Sequence, residues 1–166
     1  MKTFKGKPIT LIGEAKKIGD HAPDFKVLSN KLDPIKLSDY KTPYIVLNVV
    51  PSLDTTVCDR QARTVNKELS DREDILVLTI STDLPYAQAR WCGNAGLTNV
   101  ITLSDYLDLD FGKQYGTLIK ELRLLARSVF VLDQDRKIIY VEYADEMSQH
   151  LDYDQLIPFV KELPKE

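Results

Sequence analysis

The chain has 166 residues, 43% of them hydrophobic and 28% charged, with a formal net charge of -3. That length and mix suit one soluble globular domain, residues 1–166, with a full-sized core. Acids and bases are interspersed, which excludes a nucleic-acid stripe or a polybasic membrane patch, and no apolar run is long enough to span a bilayer.

The N-terminal MKTFKGKPITLIG lacks the apolar core and small-residue cleavage site of a signal peptide, so a cytoplasmic location is expected. Phe4, Gly6, Lys7 and Pro8, followed by the apolar ITLI up to Gly13, read as a small β-hairpin. GDHAPDF reads as an extended loop, because Pro23 disfavours helix in the residue before it. KVL over 26–28 and PIKL over 34–37 read as short strands around a polar turn. YIVLNVV, residues 44–50, is an almost unbroken β-branched and apolar run that fits a central strand covered on both faces.

The run stops at Pro51. A helix is expected over 56–69, with Val57, Ala62, Val65 and Leu69 near one face. ILVLTIS, residues 75–81, reads as a second buried strand. DLPYAQARWCG reads as a helix with Asp83 near its cap, Pro85 in its first turn and Gly93 at its end. VITL, residues 100–103, is a short strand. SVFVLD and KIIYVEY, split by Gln134, Asp135 and Arg136, form an antiparallel hairpin. A last helix over 153–163 carries Leu156, Ile157, Phe159, Val160 and Leu163. Hairpin, alternating strands and helices, second hairpin and closing helix make an α/β layered fold with a mixed sheet.

Two cysteines, Cys58 and Cys92, are the whole thiol inventory. Their spacing matches neither a CxxC redox pair nor a zinc knuckle, and His21 and His150 would complete a metal site only by long-range coincidence. No metal or other cofactor is expected. Cys58 falls at the mouth of the predicted 56–69 helix, where free N–H groups and the macrodipole favour an anion. A free cysteine is only a few per cent ionised at pH 7, and the thiolate is the nucleophile. Bringing an ordinary thiol to a pKa of about 6 takes roughly 3.4 kcal/mol. A helix terminus contributes about 0.3–1 kcal/mol, so a nearby guanidinium is needed, with Arg60, Arg63 and Arg127 as candidates. Each feature has a plainer reading. A lone cysteine is commonly a small buried hydrophobe, Thr55 can simply cap a helix, Pro51 can simply end a strand, and helix arginines are usually solvated or paired.

The stretch PSLDTTVC changes that balance. Pro51, Thr55 and Cys58 reproduce the P-x-x-x-T-x-x-C peroxidatic signature, and the chain resembles the peroxiredoxins, in particular the bacterial thiol peroxidases, which are atypical two-cysteine peroxiredoxins. The N-terminal hairpin up to GDHAPDF, the block STDLPYAQARWCG, LTNVITLSD, and LLARSVFVLD extend the resemblance over nearly the whole chain in order. It implies a thioredoxin-like fold, Cys58 as peroxidatic and Cys92 as resolving cysteine, and Arg127 as the arginine that stabilises the thiolate and polarises the peroxide. It implies that Thr55 hydrogen-bonds the sulfur and the peroxide oxygen, while Pro51 helps exclude water. Arg60 and Arg63 match no catalytic position and read as surface or pairing residues.

The implied reaction is reduction of hydrogen peroxide and alkyl hydroperoxides through a Cys58 sulfenic acid and an intramolecular Cys58–Cys92 disulfide, recycled by thioredoxin, in a homodimer. Trp91 departs from the family's frequent phenylalanine, Arg123 stands where a small residue is common, and Leu151 where proline is frequent. Three rival readings remain at this level: a peroxide-responsive sensor or disulfide-exchange protein on the same fold, a cysteine hydrolase pairing Cys58 with His21 or His150, and a non-catalytic binding module.

Overall fold

The computed structural model describes residues 1–69, 71–96 and 100–166. Part of the LTNVITLSD stretch, Leu97, Thr98 and Asn99, lies outside the described residues.

β1 (Thr3–Phe4) and β2 (Lys7–Pro8) pair antiparallel as the expected N-terminal hairpin. The apolar residues that follow do not join it. β3 (Leu11–Ile12) instead pairs antiparallel with β9 (Leu118–Ile119), far along the chain. β4 (Lys26–Leu28) and β5 (Pro34–Lys36) form the expected short antiparallel pair, and a single 3-10 turn, Leu37–Asp39, follows.

β6 (Tyr44–Val49), fully buried, is the central strand expected of an unbroken apolar run. Its side chains alternate between two cores. Ile45, Leu47 and Val49 meet Phe25, Phe111 and Phe130 on one face. Tyr44 and Val46 meet Val65, Leu69, Leu156 and Val160 on the other. α1 (Thr56–Leu69) occupies the span that its apolar spacing predicts and buries Cys58, Gln61, Ala62, Val65, Asn66 and Leu69. β7 (Ile75–Ser81) runs parallel to β6, and β8 (Ile101–Ser104) parallel to β7.

α2 (Pro85–Ala95) differs from expectation at both ends. Its N-cap is Leu84, without a side-chain bond, because the Asp83 carboxylate is engaged elsewhere. Its C-cap is Gly96 in the left-handed conformation, φ 66°, so Gly93 lies inside the helix. Only the later glycine adopts the positive φ that terminates a helix cheaply.

α3 (Asp110–Tyr115) and β9 have no counterpart among the predicted elements. β10 (Ser128–Leu132) and β11 (Ile138–Tyr143) form the expected hairpin, and β10 also pairs antiparallel with β6. α4 (Tyr153–Lys161) starts where Asp152 accepts a hydrogen bond from Gln155 N and ends two residues earlier than its apolar pattern predicts. The main sheet is mixed and seven-stranded, in the order β11-β10-β6-β7-β8-β4-β5. The parallel trio therefore has β6 beside β10, and the C-terminal end of β6 meets the N-terminal end of β10 at Val49 and Ser128. That junction carries the site.

Candidate active site

The segment leaving β6 is pinned before α1 begins. The Asp83 carboxylate accepts from Ser52 Oγ (2.7 Å), Leu53 N (2.8 Å) and Ser81 Oγ (2.7 Å), which ties the loop after Pro51 to the end of β7. Pro51 is buried and lines the same pocket as Cys58. The first backbone bond of α1 runs from Asp59 N to Thr55 O (2.8 Å). The N–H groups of Thr56, Val57 and Cys58 therefore have no intrahelical acceptor, as at the start of any helix. All three residues line that pocket.

Cys58 is 1% exposed and packs with Val50, Leu53 and Ala62. Arg127, next to the first residue of β10, is itself 2% exposed and places Nη2 3.1 Å from Cys58 Sγ. Its other donors are also fixed: Nε donates to Met147 O (2.9 Å) and Nη1 to Gln61 Oε1 (2.8 Å). Gln61 is held in turn, with Nε2 donating to Asn48 Oδ1 (2.7 Å) and to Val49 O (3.2 Å). Of the three groups that the Arg127 guanidinium meets, two are neutral oxygens and the third is the Cys58 sulfur. A buried cation without a counter-charge is costly, and the ionised form of Cys58 supplies one.

Of the three arginines weighed from sequence, Arg127 is the one at the sulfur. Arg60 is exposed, and Arg63 pairs with Asp59 (2.9 Å), in keeping with the surface and pairing roles expected of them. Thr55 lines the pocket, but its hydroxyl donates to Ser52 O (3.1 Å), so its proton is not turned toward the sulfur. The oxygen remains able to accept. Cys92 stands apart from this group. It is partly buried on α2, with Sγ 3.4 Å from Thr102 Oγ1, and both cysteines are free thiols.

The pocket over Cys58 encloses about 400 Å³. One wall carries Thr55, Cys58 and Arg127. Another is apolar, formed by Phe4 of the N-terminal hairpin, Leu124 and Met147. The hairpin is fastened there by Thr3 N to Asp145 O (2.8 Å) and Met147 N to Thr3 O (2.9 Å).

Neither histidine serves the sulfur in the manner of a hydrolase. His150 Nδ1 lies 3.4 Å from Tyr153 Oη, and partial burial with the fields of Arg60 and Arg127 shifts its ring below the usual histidine range, toward neutrality. His21 forms an isolated bridge with Lys137. Burial pushes the Tyr153 hydroxyl up to about 12. Among the described residues, no group of three or more His, Cys, Asp and Glu is arranged to hold a metal ion.

Gln61, Asn48 and Met147, and the hairpin wall with Phe4, were not anticipated from sequence. One signal was available: Asn48 is the single polar residue inside YIVLNVV, and an amide in a fully buried strand needs partners.

A family model described as Redoxin matches residues 17–157. The thiol peroxidase of Bacillus subtilis (strain 168) is 52% identical over 163 residues, covering 98% of both chains. That of Staphylococcus aureus (strain MRSA252) is 53% identical over 161 residues, covering 97% of this chain and 98% of its own. Among solved structures, a peroxiredoxin-like protein from Aquifex aeolicus superposes with a TM-score of 0.89 at 35% identity, covering 97% of this chain and 95% of that one. A thiol peroxidase from Chromobacterium violaceum shares the fold at 20% identity, with a TM-score of 0.87 and coverages of 97% and 95%.

Proposed function

Because this chain belongs to the Redoxin family, as one of its thiol peroxidases, we propose that Cys58 is the peroxidatic cysteine and that Cys92 resolves it within the same chain. The observation that carries this reading is the 3.1 Å contact between Arg127 Nη2 and Cys58 Sγ, made where both groups are buried and the guanidinium has no carboxylate partner among the described residues. That contact favours the thiolate, which attacks the distal oxygen of a hydroperoxide. The O–O bond breaks, the distal oxygen passes to the sulfur with its proton as a sulfenic acid, and the alkoxide or hydroxide leaves and takes a proton from water. Arg127 and the first N–H groups of α1 stabilise the charge that develops on the two oxygens. Thr55 Oγ1, its own proton committed to Ser52 O, accepts from the O–H of the incoming peroxide. Pro51 keeps one more N–H, and the water it would hold, away from the sulfur.

The substrates proposed are hydrogen peroxide and alkyl hydroperoxides. The wall of Phe4, Leu124 and Met147 supports the second class, because an alkyl group is better placed there than in water. In the second step, Cys92 Sγ attacks Cys58 sulfur, the S–O bond breaks and water leaves, giving the disulfide. Each sulfur now has a different neighbour, Arg127 for one and Thr102 for the other, so part of the α2 C-terminal turn unwinds to bring them together. Gly93 and Gly96 ease that movement. A dithiol protein of the thioredoxin type then reduces the disulfide by exchange. The support for that reductant, and for a cytoplasmic homodimer, is the family resemblance. No helix among the described residues is long and apolar enough to cross a membrane.

The test is single-turnover reaction of the reduced protein with hydrogen peroxide, followed by Trp91 fluorescence and by intact-mass analysis. Wild type is expected to react far faster than a free thiol and to end as an intramolecular disulfide. Cys58→Ser is expected to be inert, and Cys92→Ser to stop at the sulfenic acid. Sustained turnover with thioredoxin separates an enzyme from a peroxide sensor. Wild type reacting no faster than a free thiol overturns the reading.

A further inference from the structure

The residues next to the two cysteines are joined to each other. Trp91 Nε1 donates to Asp59 Oδ1 across 2.6 Å, linking the residue after Cys58 to the residue before Cys92. The same carboxylate accepts from Arg63 Nε at 3.1 and 2.9 Å through its two oxygens. The Arg63 guanidinium lies over the Trp91 ring, 5.6 Å from its centre, and its Nη1 donates to Ala95 O, in the last residue of α2, at 3.4 Å. α1 is thus fastened to α2 by one charge-assisted donor, one cation–π contact and one carbonyl, while the Asp59–Arg63 ion pair lies within α1 and holds those two side chains in place. The Trp91 ring also packs on the cluster of Val50, Leu53, Cys58 and Ala62.

None of these three side chains touches the sulfur by hydrogen bond or lines the pocket over Cys58. Their arrangement bears on the second step. Trp91 occupies the side of α2 that faces the Cys58 cluster, while Cys92 Sγ is turned to Thr102 Oγ1. For Cys92 to reach Cys58, Trp91 must give up that place.

We propose that Asp59, Trp91 and Arg63 are positioning residues forming a clasp that holds the resolving segment closed, and that its strength sets how the Cys58 sulfenic acid partitions between disulfide and over-oxidation. This rests on the assignment of Cys58 and Cys92 made above. In one branch the Cys92 sulfur attacks Cys58 sulfur, the S–O bond breaks, and water leaves with the Cys92 proton. In the other the sulfenate attacks a second hydroperoxide, the O–O bond breaks, and the products are a sulfinate and an alcohol or water. The first rate depends on opening of the clasp and the second on peroxide concentration. A tighter clasp therefore lengthens the life of the sulfenic acid. Asp59 and Arg63 are each about a third or more exposed at the side chain, which keeps the restraint modest.

Rapid-quench mass spectrometry of the full chain, with hydrogen peroxide as the probe, measures both branches. Trp91→Phe removes the indole N–H and keeps an aromatic ring. Arg63→Met removes the ion pair and the cation while leaving the Trp91 donor. In Trp91→Phe, the second-order rate of Cys58 oxidation is expected to stay within twofold of wild type. The first-order rate of disulfide formation rises about tenfold, and the sulfinate-to-disulfide ratio at fixed peroxide falls about tenfold, the size of effect expected from losing one charge-assisted hydrogen bond. Arg63→Met shifts both in the same direction by about threefold, as for one exposed cation–π contact and its companion bond to Ala95 O. A disulfide rate unchanged within twofold in both variants overturns the proposal, and so does a slower rate, which would mean that the clasp assists the approach of Cys92. If wild type forms no Cys58–Cys92 disulfide at all, the assignment of the cysteines fails and takes this inference with it. A wild-type disulfide whose rate ignores the clasp removes only the inference.

Discussion

Replacing Arg127 with methionine keeps much of the stem and deletes the one cation at the sulfur. In the folded protein, Nη2 lies 3.1 Å from Cys58 Sγ, with the positive charge centred on Cζ behind it. At a charge separation of about 4 Å and an effective dielectric of about 20, the attraction to a thiolate is about 4 kcal/mol. Part of that offsets the desolvation of two buried ions. Loss of a preorganised donor to the reacting oxygens costs about 2.7–4 kcal/mol by itself in comparable sites. Both figures correspond to a loss of roughly 10²–10³ in the rate of Cys58 oxidation.

The assay is stopped-flow oxidation by hydrogen peroxide of reduced wild type, Arg127→Met and Arg127→Lys, with circular dichroism to show that each is folded. Lysine carries one compact ammonium and cannot serve Met147 O, Gln61 Oε1 and Cys58 Sγ together, so it is expected to recover only part of the loss. A folded Arg127→Met protein that oxidises within threefold of wild type at neutral pH refutes the reasoning, and with it the role given to the buried guanidinium.

Gln61 positions Arg127, so Gln61→Leu is expected to slow Cys58 oxidation about tenfold, on the scale of one lost hydrogen bond to a charged group, and to lower the melting temperature while leaving disulfide formation unchanged. An oxidation rate equal to wild type with only the melting temperature lowered would make Gln61 purely structural. Asp105 offers a pH test away from the site. Burial pushes its carboxyl up to about 7, against the pull of N–H donors from Phe111 (3.0 Å) and Gly112 (2.8 Å), with Asp110 adding to the rise and Lys113 opposing it. A carboxyl whose folded pKa lies above its ordinary value of 3.8 holds its proton better when folded. Its contribution therefore declines as pH rises between those two values and is flat above about 7. Urea midpoints from about pH 5 to about pH 8 are expected to show that decline in wild type and not in Asp105→Asn. A difference between the two proteins that is constant with pH would refute the shift.

The parts of this fold legible in the sequence are those whose signal is local and repeated. YIVLNVV announces a doubly covered strand because nearly every position is apolar, and the helix over 56–69 is marked by spacing that the packing then uses. DFGKQY is too short for a helical period to register, and its glycine weakens the pattern further, so α3 left no trace. Gly112 sits in a tight place, since a Cβ would lie 2.8 Å from Leu125 Cδ2 and 3.1 Å from Leu118 Cβ and would make those neighbours shift. The partner of Leu11–Ile12 was unreadable for another reason: it lies more than a hundred residues away at Leu118–Ile119, and two-residue strands carry no register signal of their own.

The site divides along the same line. Cys58 at a helix mouth was visible locally, and the need for a cation beside it followed from the weakness of the helix dipole. The choice of Arg127 over Arg60 and Arg63 came from resemblance alone, because no sequence pattern says that the residue before β10 ends beside the first turn of α1. Sheet order decides that. β10 pairs with β6 in the register Ser128 to Val49, and Val49 is two residues from Pro51, so the start of β10 is brought against the loop that feeds the peroxidatic helix. Asn48 then acquires its meaning. It faces the α1 side of β6, where the next even position after Tyr44 and Val46 would otherwise be apolar, and it receives Gln61, which receives Arg127, which meets the sulfur. A buried asparagine in a strand of valines, leucine and isoleucine is costly without partners. Asn48 within YIVLNVV was therefore a mark, carried by the sequence itself, that a polar chain had to run through this core, and the thiol was its natural end.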